Sequence, residues 1–437
     1  SVLESHSYCS CSQTTSNSSH RIDMADLENS KNSDAEAIPA KPKLLEGSLK
    51  GWLAVLACWC IMFNTFGYIN AFGIYESYYK STFLQDQSDS NIAWIGSLQV
   101  FFMFSGGLVS GPLMDRYGPK VIIIPCSILF IVSVMLTSLG TEYYHFMLTQ
   151  GVLGGVSNGL TYTPTITAVN QYFFEKRPLA MGIASSGSSL AGVIFPIALN
   201  RLLNNSELGF GWSVRILGFL MMVLSIIACA SVSSNVTKRT GGPLLLWKAW
   251  KQPAYTLQIT GLFLVVWAMF IPFFYIPGYA QSISIDVNMS NYLIAILNAG
   301  SLIGRLVGGV VANRLGQFNT LAGASIICGI LNFCWLSIHS LGGMVGFSVL
   351  LGFSSGIVIG LFPATIAMTA TKTNEIGSYL GMGLGVLSIS GLTGTPITGA
   401  LIHRYGSYDP AMIFAGVCSI VGAVIIAGGR VYSVQSN

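Results

Sequence analysis

Charge is what this chain has least of. Asp, Glu, Lys and Arg together make up 9% of its 437 residues and apolar residues 52%, whereas an ordinary soluble domain is about 25% charged. A soluble globular protein is excluded. Carboxylates are missing from the middle of every apolar run: the 17 Asp and Glu fall in tails, in loops or at run ends, with Glu76 nearest to an interior. The 5 histidines also fall in tails or loops, so the deep titratable group that proton-coupled carriers usually keep in their path is not visible. No Ser/His/Asp set, metal-ligand cluster or phosphate-cradling glycine loop is found, and the loops are too short for a catalytic domain. The reading is therefore a non-enzyme with no cofactor, no metal and no catalytic residue.

Cysteine is present without a framework. Of the 9 cysteines, Cys58, Cys60, Cys126, Cys229, Cys328, Cys334 and Cys418 lie in apolar runs with no paired metal spacing, and Cys9 and Cys11 lie near the start of the chain. Small apolar packing is their expected role. No cleavable signal peptide is visible. Residues 1 to about 45 are Ser- and Asn-rich without an apolar face, which predicts a disordered tail. MADLENSKNSDAE, opening at Met24, reads like a natural start, so residues 1–23 are expected to lie outside the natural protein.

What is abundant is apolar length. A span needs about 20 apolar residues to cross roughly 30 Å of hydrocarbon. Twelve such segments are centred near residues 63, 102, 131, 157, 190, 222, 266, 301, 329, 357, 389 and 419. The expected division is a tail over 1–49, six helices over 50–232, a linker over 233–253, six helices over 254–430 and a short tail over 431–437. Lys and Arg then sort by side: Lys50, Arg116, Lys120, Lys176, Arg177, Lys238, Arg239, Lys248, Lys251, Arg314, Lys372 and Arg430 share one side, against Lys80, Arg201 and Arg404 on the other. The positive-inside rule places both termini and the linker in the cytoplasm. The net charge of +4 is thereby topogenic. Its scatter over short loops argues against nucleic acid. Asn204 and Asn288 open formal glycosylation sequons in outer loops too short to favour modification.

The two sets of six repeat one another. GPLMDRYGPK at Gly111–Lys120 returns as GGVVANRLGQ at Gly308–Gln317, with Gly111, Asp115, Arg116 and Gly118 matching Gly309, Asn313, Arg314 and Gly316 at a constant offset of 198. Pro164 answers Pro363 at 199, Pro196 answers Pro396 at 200, and LAMG from Leu179 answers LGMG from Leu380 at 201. Duplicated six-helix halves are a recurring architecture of secondary transporters, with the path between the halves near the midplane. The fold class is an all-α membrane protein of twelve transmembrane helices in two pseudosymmetric halves.

The repeated loop, with its Gly–Asp–Arg–Gly spacing and Lys120, resembles the signature loop of the major facilitator superfamily. That resemblance implies a role for Gly111, Asp115, Arg116, Gly118, Lys120, Asn313 and Arg314 in switching between inward- and outward-facing states. Topogenic charge alone is the plainer alternative. Asn313 stands where the first copy has Asp115, which weakens a charge-dependent latch in that half. A narrower resemblance runs from Glu46 to Arg430. EGSLKGWLAVLACW at Glu46–Trp59, QYFFEKRPLAMGIASSGSSLAG at Gln171–Gly192, and the linker and seventh helix at Gly242–Ala280 are similar to the fungal branch of the monocarboxylate transporter family. Animal members carry a first-helix lysine and an Asp four residues before an Arg in the eighth helix. Here Asn70 and Ser301 take those places and only Arg305 remains, which speaks against lactate-like substrates and the animal proton scheme.

Arg305 is the leading site residue. A mid-span arginine costs roughly 2.5–3.5 kcal/mol on insertion scales, so it belongs on an inward face. Asn298, Ser301 and Arg305 fall at i, i+3 and i+7 on one face, a stripe able to bind an anion, with Arg305 as bidentate donor. An interhelical clamp onto backbone carbonyls is the alternative. Asn158, Tyr162 and Thr165 form a stripe in the fourth helix and Asn64 with Tyr68 one in the first. Tyr275 and Tyr279 fit the same position in the seventh, and Phe273, Phe274 and Tyr275 suit a larger, partly apolar solute. Pseudosymmetry within the resembling family implies that helices one, four, seven and ten line the cavity; each polar residue alone also reads as a helix-packing hydrogen bond.

The expected partners are a small-molecule organic anion or related metabolite and the lipid bilayer, with a monomer as the functional unit and the plasma membrane as location. The expected function is secondary transport of a small organic acid by alternating access. Efflux of a larger secondary metabolite is the alternative, and a receptor that binds without transporting is the rival from another class. Ile197 and Ala198 after Pro196 depart from the drug–proton antiporter signature.

Overall fold

The computed structural model describes residues 47–204, 208–234 and 245–435. The expectations for the tail, Met24, Cys9, Cys11 and linker residues 235–244 lie outside these, as do the side chains of Asn204 and Asn288.

All regular structure among the described residues is helical. We number twelve helices. α1 combines Leu49–Asn70, Phe72–Tyr78 and a π segment at Tyr79–Phe83. α2 combines Asp89–Ser105 and Gly107–Tyr117. α3 is Lys120–Thr137, and α4 runs through Tyr143–Phe146, a π segment at Met147–Gly154 and Gly155–Tyr172. α5 is Arg177–Asn204 and α6 Gly209–Ser231. After a short 3₁₀ turn at Trp247–Lys251 come α7, Pro253–Ser282, and α8, Val287–Leu315. α9 is Gln317–Trp335, α10 Leu341–Met368, α11 Ile376–Tyr405 and α12 Asp409–Gln435.

Eleven of these are long and apolar enough to cross a membrane, by length and composition; α4 is the one that is not. Its second half carries Asn158, Thr161, Tyr162, Thr163, Thr165, Thr167, Asn170 and Gln171, all buried. Hydroxyls make such a helix tolerable inside a bundle because they donate back along the helix: Thr161 to the Ser157 carbonyl at 3.1 Å, Thr165 to Thr161 at 3.1 Å and Thr167 to Thr163 at 2.8 Å. Polar composition here reflects burial among neighbouring helices instead of contact with lipid.

The repeat is visible in the backbone. Gly118 and Gly316 close the two signature loops at φ +84 and +88, a region that L side chains rarely enter, so both copies need glycine there. Pro164 and Pro363 sit inside α4 and α10, Pro196 and Pro396 inside α5 and α11, each removing a helix hydrogen bond at a matching place.

The first six helices meet the last six along two seams, α2 on α11 and α5 on α8. Both seams close at the end that carries Asp115 and Asn313, which we term the latched end. Backbones touch there because side chains are absent: Gly107 and Gly111 of α2 lie against Gly381 and Gly377 of α11, and a Cβ on Gly309 of α8 would stand 2.7 Å from the Pro178 carbonyl oxygen of α5. Toward the other end, past Asn200, Arg201 and Tyr292, the helices diverge around a cavity.

Candidate functional site

The cavity measures about 380 Å³ and is walled by α1, α2, α5, α7, α8 and α10. Its walls are mostly apolar and aromatic, with Phe66, Phe104, Phe270, Phe273 and Phe274 among them. Its polar groups are few: Asn70, Asn298 and Arg305 inside, with Glu76, Ser77, Asn200, Arg201 and Tyr292 also on its lining. A concave, apolar pocket of roughly 300–1,000 Å³ with a few placed polar groups is the ordinary form of a site for a drug-sized molecule.

Arg305 is the inner cation of this site and is 3% exposed. One Nη donates to the Ser185 carbonyl of α5, on the other half, while Nε has no partner among the described residues. Arg305 thus clamps α8 to α5 through a backbone carbonyl, as the clamp alternative expects, and also lines the cavity. A buried guanidinium with an unmatched N–H is a site that favours an added acceptor, because an unsatisfied buried donor costs about 1–3 kcal/mol. Ser301, one turn away, accepts from Ser189 Oγ at 3.1 Å, a second bond across the α5–α8 seam; it joins the clamp and not the cavity wall.

Of the residues read from sequence as substrate-binding, the structure brings Asn70, Phe274, Asn298 and Arg305 together on the cavity. The others face elsewhere. Asn64 donates to the Met221 carbonyl at 2.9 Å and to Ser225 Oγ at 3.0 Å on α6. Tyr68 points to α3, donating to Thr137 Oγ1 at 3.3 Å and packing on Phe130. Tyr275 is half-buried with its hydroxyl toward Gly399 of α11, and Tyr279 donates to the Ile338 carbonyl at 2.7 Å. Asn158 and Tyr162 are buried in α4, with the Asn158 amide nitrogen and the Tyr162 hydroxyl unpartnered among the described residues. The rings of Phe66 and Phe104 contact Tyr162 at 5.7 and 6.2 Å and stand between α4 and the cavity. The expectation that α4 lines the wall is therefore corrected for this conformation: closure at the latched end packs α4 behind α1 and α2. Arg215 of α6 donates to Ser138 Oγ at 3.0 Å and stacks on Trp212.

Sequence reading missed the open end. Arg201 reads as loop charge and Glu76 as a span-end acid, yet both border the cavity. The available signal was position: Glu76 follows the break of α1 at Ala71, which is hard to see in an unbroken apolar run.

The latched end is held by Asp115. Its carboxylate, 3% exposed, accepts from the backbone N–H of Gly377 at 3.0 Å, the N–H of Ser378 at 2.7 Å and Ser378 Oγ at 2.7 Å. These are the first residues of α11, so an anion of one half satisfies orphan donors and the positive dipole end of a helix of the other. Arg116 is half-buried beside it and Lys120 exposed; Asn313 and Arg314 in the second copy are exposed. The clasp is one-sided, as the exchange of Asp for Asn implies.

The family model described as Major Facilitator Superfamily matches residues 54–384 of this chain. Among similar curated proteins, the aspyridones efflux protein apdF of Emericella nidulans is 45% identical over 90% of this chain and 80% of its own length. The agnestins efflux protein AgnL12 of Paecilomyces divaricatus is 38% identical over 91% of each. Among solved structures, the transporter FucP in the outward conformation superposes with a TM-score of 0.69 at 15% identity, covering 86% of this chain and 98% of FucP. The human organic anion transporter MFSD10 superposes with a TM-score of 0.66 at 11% identity, over 88% of this chain and all of MFSD10.

Proposed function

The chain belongs to the major facilitator superfamily, and on that premise we propose that it exports an acidic, largely apolar metabolite of natural-product size by alternating access. The observation that carries this reading is Arg305 at the inner part of an aromatic cavity of about 380 Å³, with one N–H still unmatched. A carboxylate or acidic enolate supplies the missing acceptor, and the phenylalanine walls take an apolar body. The efflux names of similar fungal proteins support this direction. The likeness to the monocarboxylate-transporter-like branch remains a reading of motifs; a lactate-sized solute would leave most of this cavity unfilled.

We place the latched, Lys- and Arg-rich end in the cytoplasm by the positive-inside count, with both termini there, the plasma membrane as the location and a monomer as the working unit. The conformation described is then open to the outside, and the two glycine seams with the Asp115 clasp are what must part for a substrate to enter from within. Residues 50–232 and 254–430 move as the two bodies of that exchange.

The test is release from yeast cells expressing the chain and loaded with a labelled naphthoic acid or with its methyl ester. Faster release of the acid alone, lost in Arg305→Ala, is the expected result. Equal acceleration of acid and ester, or none of either, overturns the reading.

A further inference from the structure

The cavity holds a second polar feature that the anion site does not use. Asn298 lies two helical turns from Arg305 on α8, about 10 Å along the axis. Its Nδ2 donates to the Ile294 carbonyl at 3.0 Å, which fixes the amide so that Oδ1 is presented as an acceptor. Asn70 is the last residue of the first segment of α1, just before the break at Ala71, and its side-chain amide makes no hydrogen bond among the described residues. The two amides converge on Gly192 of α5: a Cβ there would stand 2.6 Å from Asn298 Oδ1 and 2.9 Å from Asn70 Nδ2. An acceptor and a donor, from opposite halves of the molecule, thus flank one point on the cavity wall, and only glycine leaves that point empty.

Amides that serve only to pack helices satisfy each other or a backbone; here Asn70 does neither, and Asn298 uses half of its capacity. A group that matches both atoms must carry an N–H and a C=O side by side, as the cis amide of a lactam does; the trans peptide of an open-chain secondary amide holds them on opposite edges. We propose that Asn70 and Asn298 over Gly192 form a subsite for a lactam, so that the molecule carried is an acid that also bears such a ring. Its N–H donates to Asn298 Oδ1 and its carbonyl accepts from Asn70 Nδ2. The inference rests on Arg305 as the partner of the acid. A lactone or an N-alkylated lactam leaves Oδ1 without a donor, and sites built around hydrogen bonds reject such analogues strongly. Because the subsite draws on α1 and α8, it also exists only while the halves hold the conformation described.

The test is binding of ω-(2-oxo-1,2-dihydroquinolin-4-yl)alkanoic acids, from the acetic to the hexanoic compound, to the purified full chain in nanodiscs. Each is compared with its N-methyl counterpart and with the corresponding coumarin, in which a ring oxygen replaces the N–H. At the best spacing the N–H lactam should bind about tenfold more tightly than either analogue. That preference should fall below about twofold in Asn298→Leu and in Gly192→Ala, whose added methyl displaces both amides. It should persist in Asn298→Asp, which keeps the acceptor; comparing ratios cancels the added charge. If the three compounds bind alike at every spacing in the wild type while binding still needs Arg305, the lactam subsite is wrong and the acid carrier stands. If no acid in the series binds in an Arg305-dependent way, both readings fail.

Discussion

Arg305 does two things that a lysine cannot do together: one arm of its guanidinium donates to the Ser185 carbonyl across the seam while Nε remains for a ligand. Lysine keeps the charge but not the planar fork. We expect Arg305→Lys to reduce transport of an acid by about tenfold to a hundredfold, the worth of a charge-assisted hydrogen bond, with protein at the membrane, measured by surface biotinylation, close to wild type. Equal flux in that variant removes Arg305 from the site. Glu76 is the carboxylate that borders the cavity among the described residues, and we propose it as the group to test for proton coupling. Glu76→Gln should abolish the response of transport to an imposed pH gradient while leaving exchange without a gradient intact; an unaltered response in that variant contradicts the assignment. Arg305 was legible in the sequence because a charge in mid-span has few places to go. Asn64 and Tyr68 were not legible as packing residues, because α1 is enclosed on nearly every side and helical spacing alone does not say which side holds the cavity.

At the scale of helices, the latched end is a contact between elements that tolerate no side chain. A Cβ on Gly111 would run into the Gly377 carbonyl of α11, and neither backbone can withdraw without opening the seam. Gly111→Ala should therefore fold, since the added methyl suits a helix, yet fail to close this end. Cysteine placed at Thr163, buried beside Gly107, should then react with a water-soluble maleimide where the same cysteine in an otherwise unaltered chain does not. Protection in both contradicts the seam as a gate. Asp115→Asn acts on the same closure more gently, since an amide oxygen lacks the charge that α11's first turn attracts. A loss of about 1–2 kcal/mol predicts labelling at position 163 faster by about fivefold to thirtyfold. The one-sided clasp was readable from the exchange of Asp115 for Asn313, and the turns at Gly118 and Gly316 from their glycines. The place of α4 was not, because the polarity that suggests a cavity wall equally suits a helix buried behind Phe66 and Phe104.

For the whole molecule, repetition at a nearly constant offset near 200 residues, apolar length and scarcity of charge together made the twelve-helix duplicated fold legible before any coordinates. Such properties follow from the bilayer, which demands internally satisfied helices of set length. The identity of the wall helices was less so, since it depends on which end of the exchange is closed. A transporter must carry a bound acid between two sides instead of merely holding it in the cavity. Counterflow tests this most directly: liposomes holding the purified chain and an excess of unlabelled aromatic acid are placed in labelled acid. Saturable, transient accumulation of label that disappears in Arg305→Ala is expected. Saturable binding of the acid with no counterflow would make the protein a receptor and contradict transport.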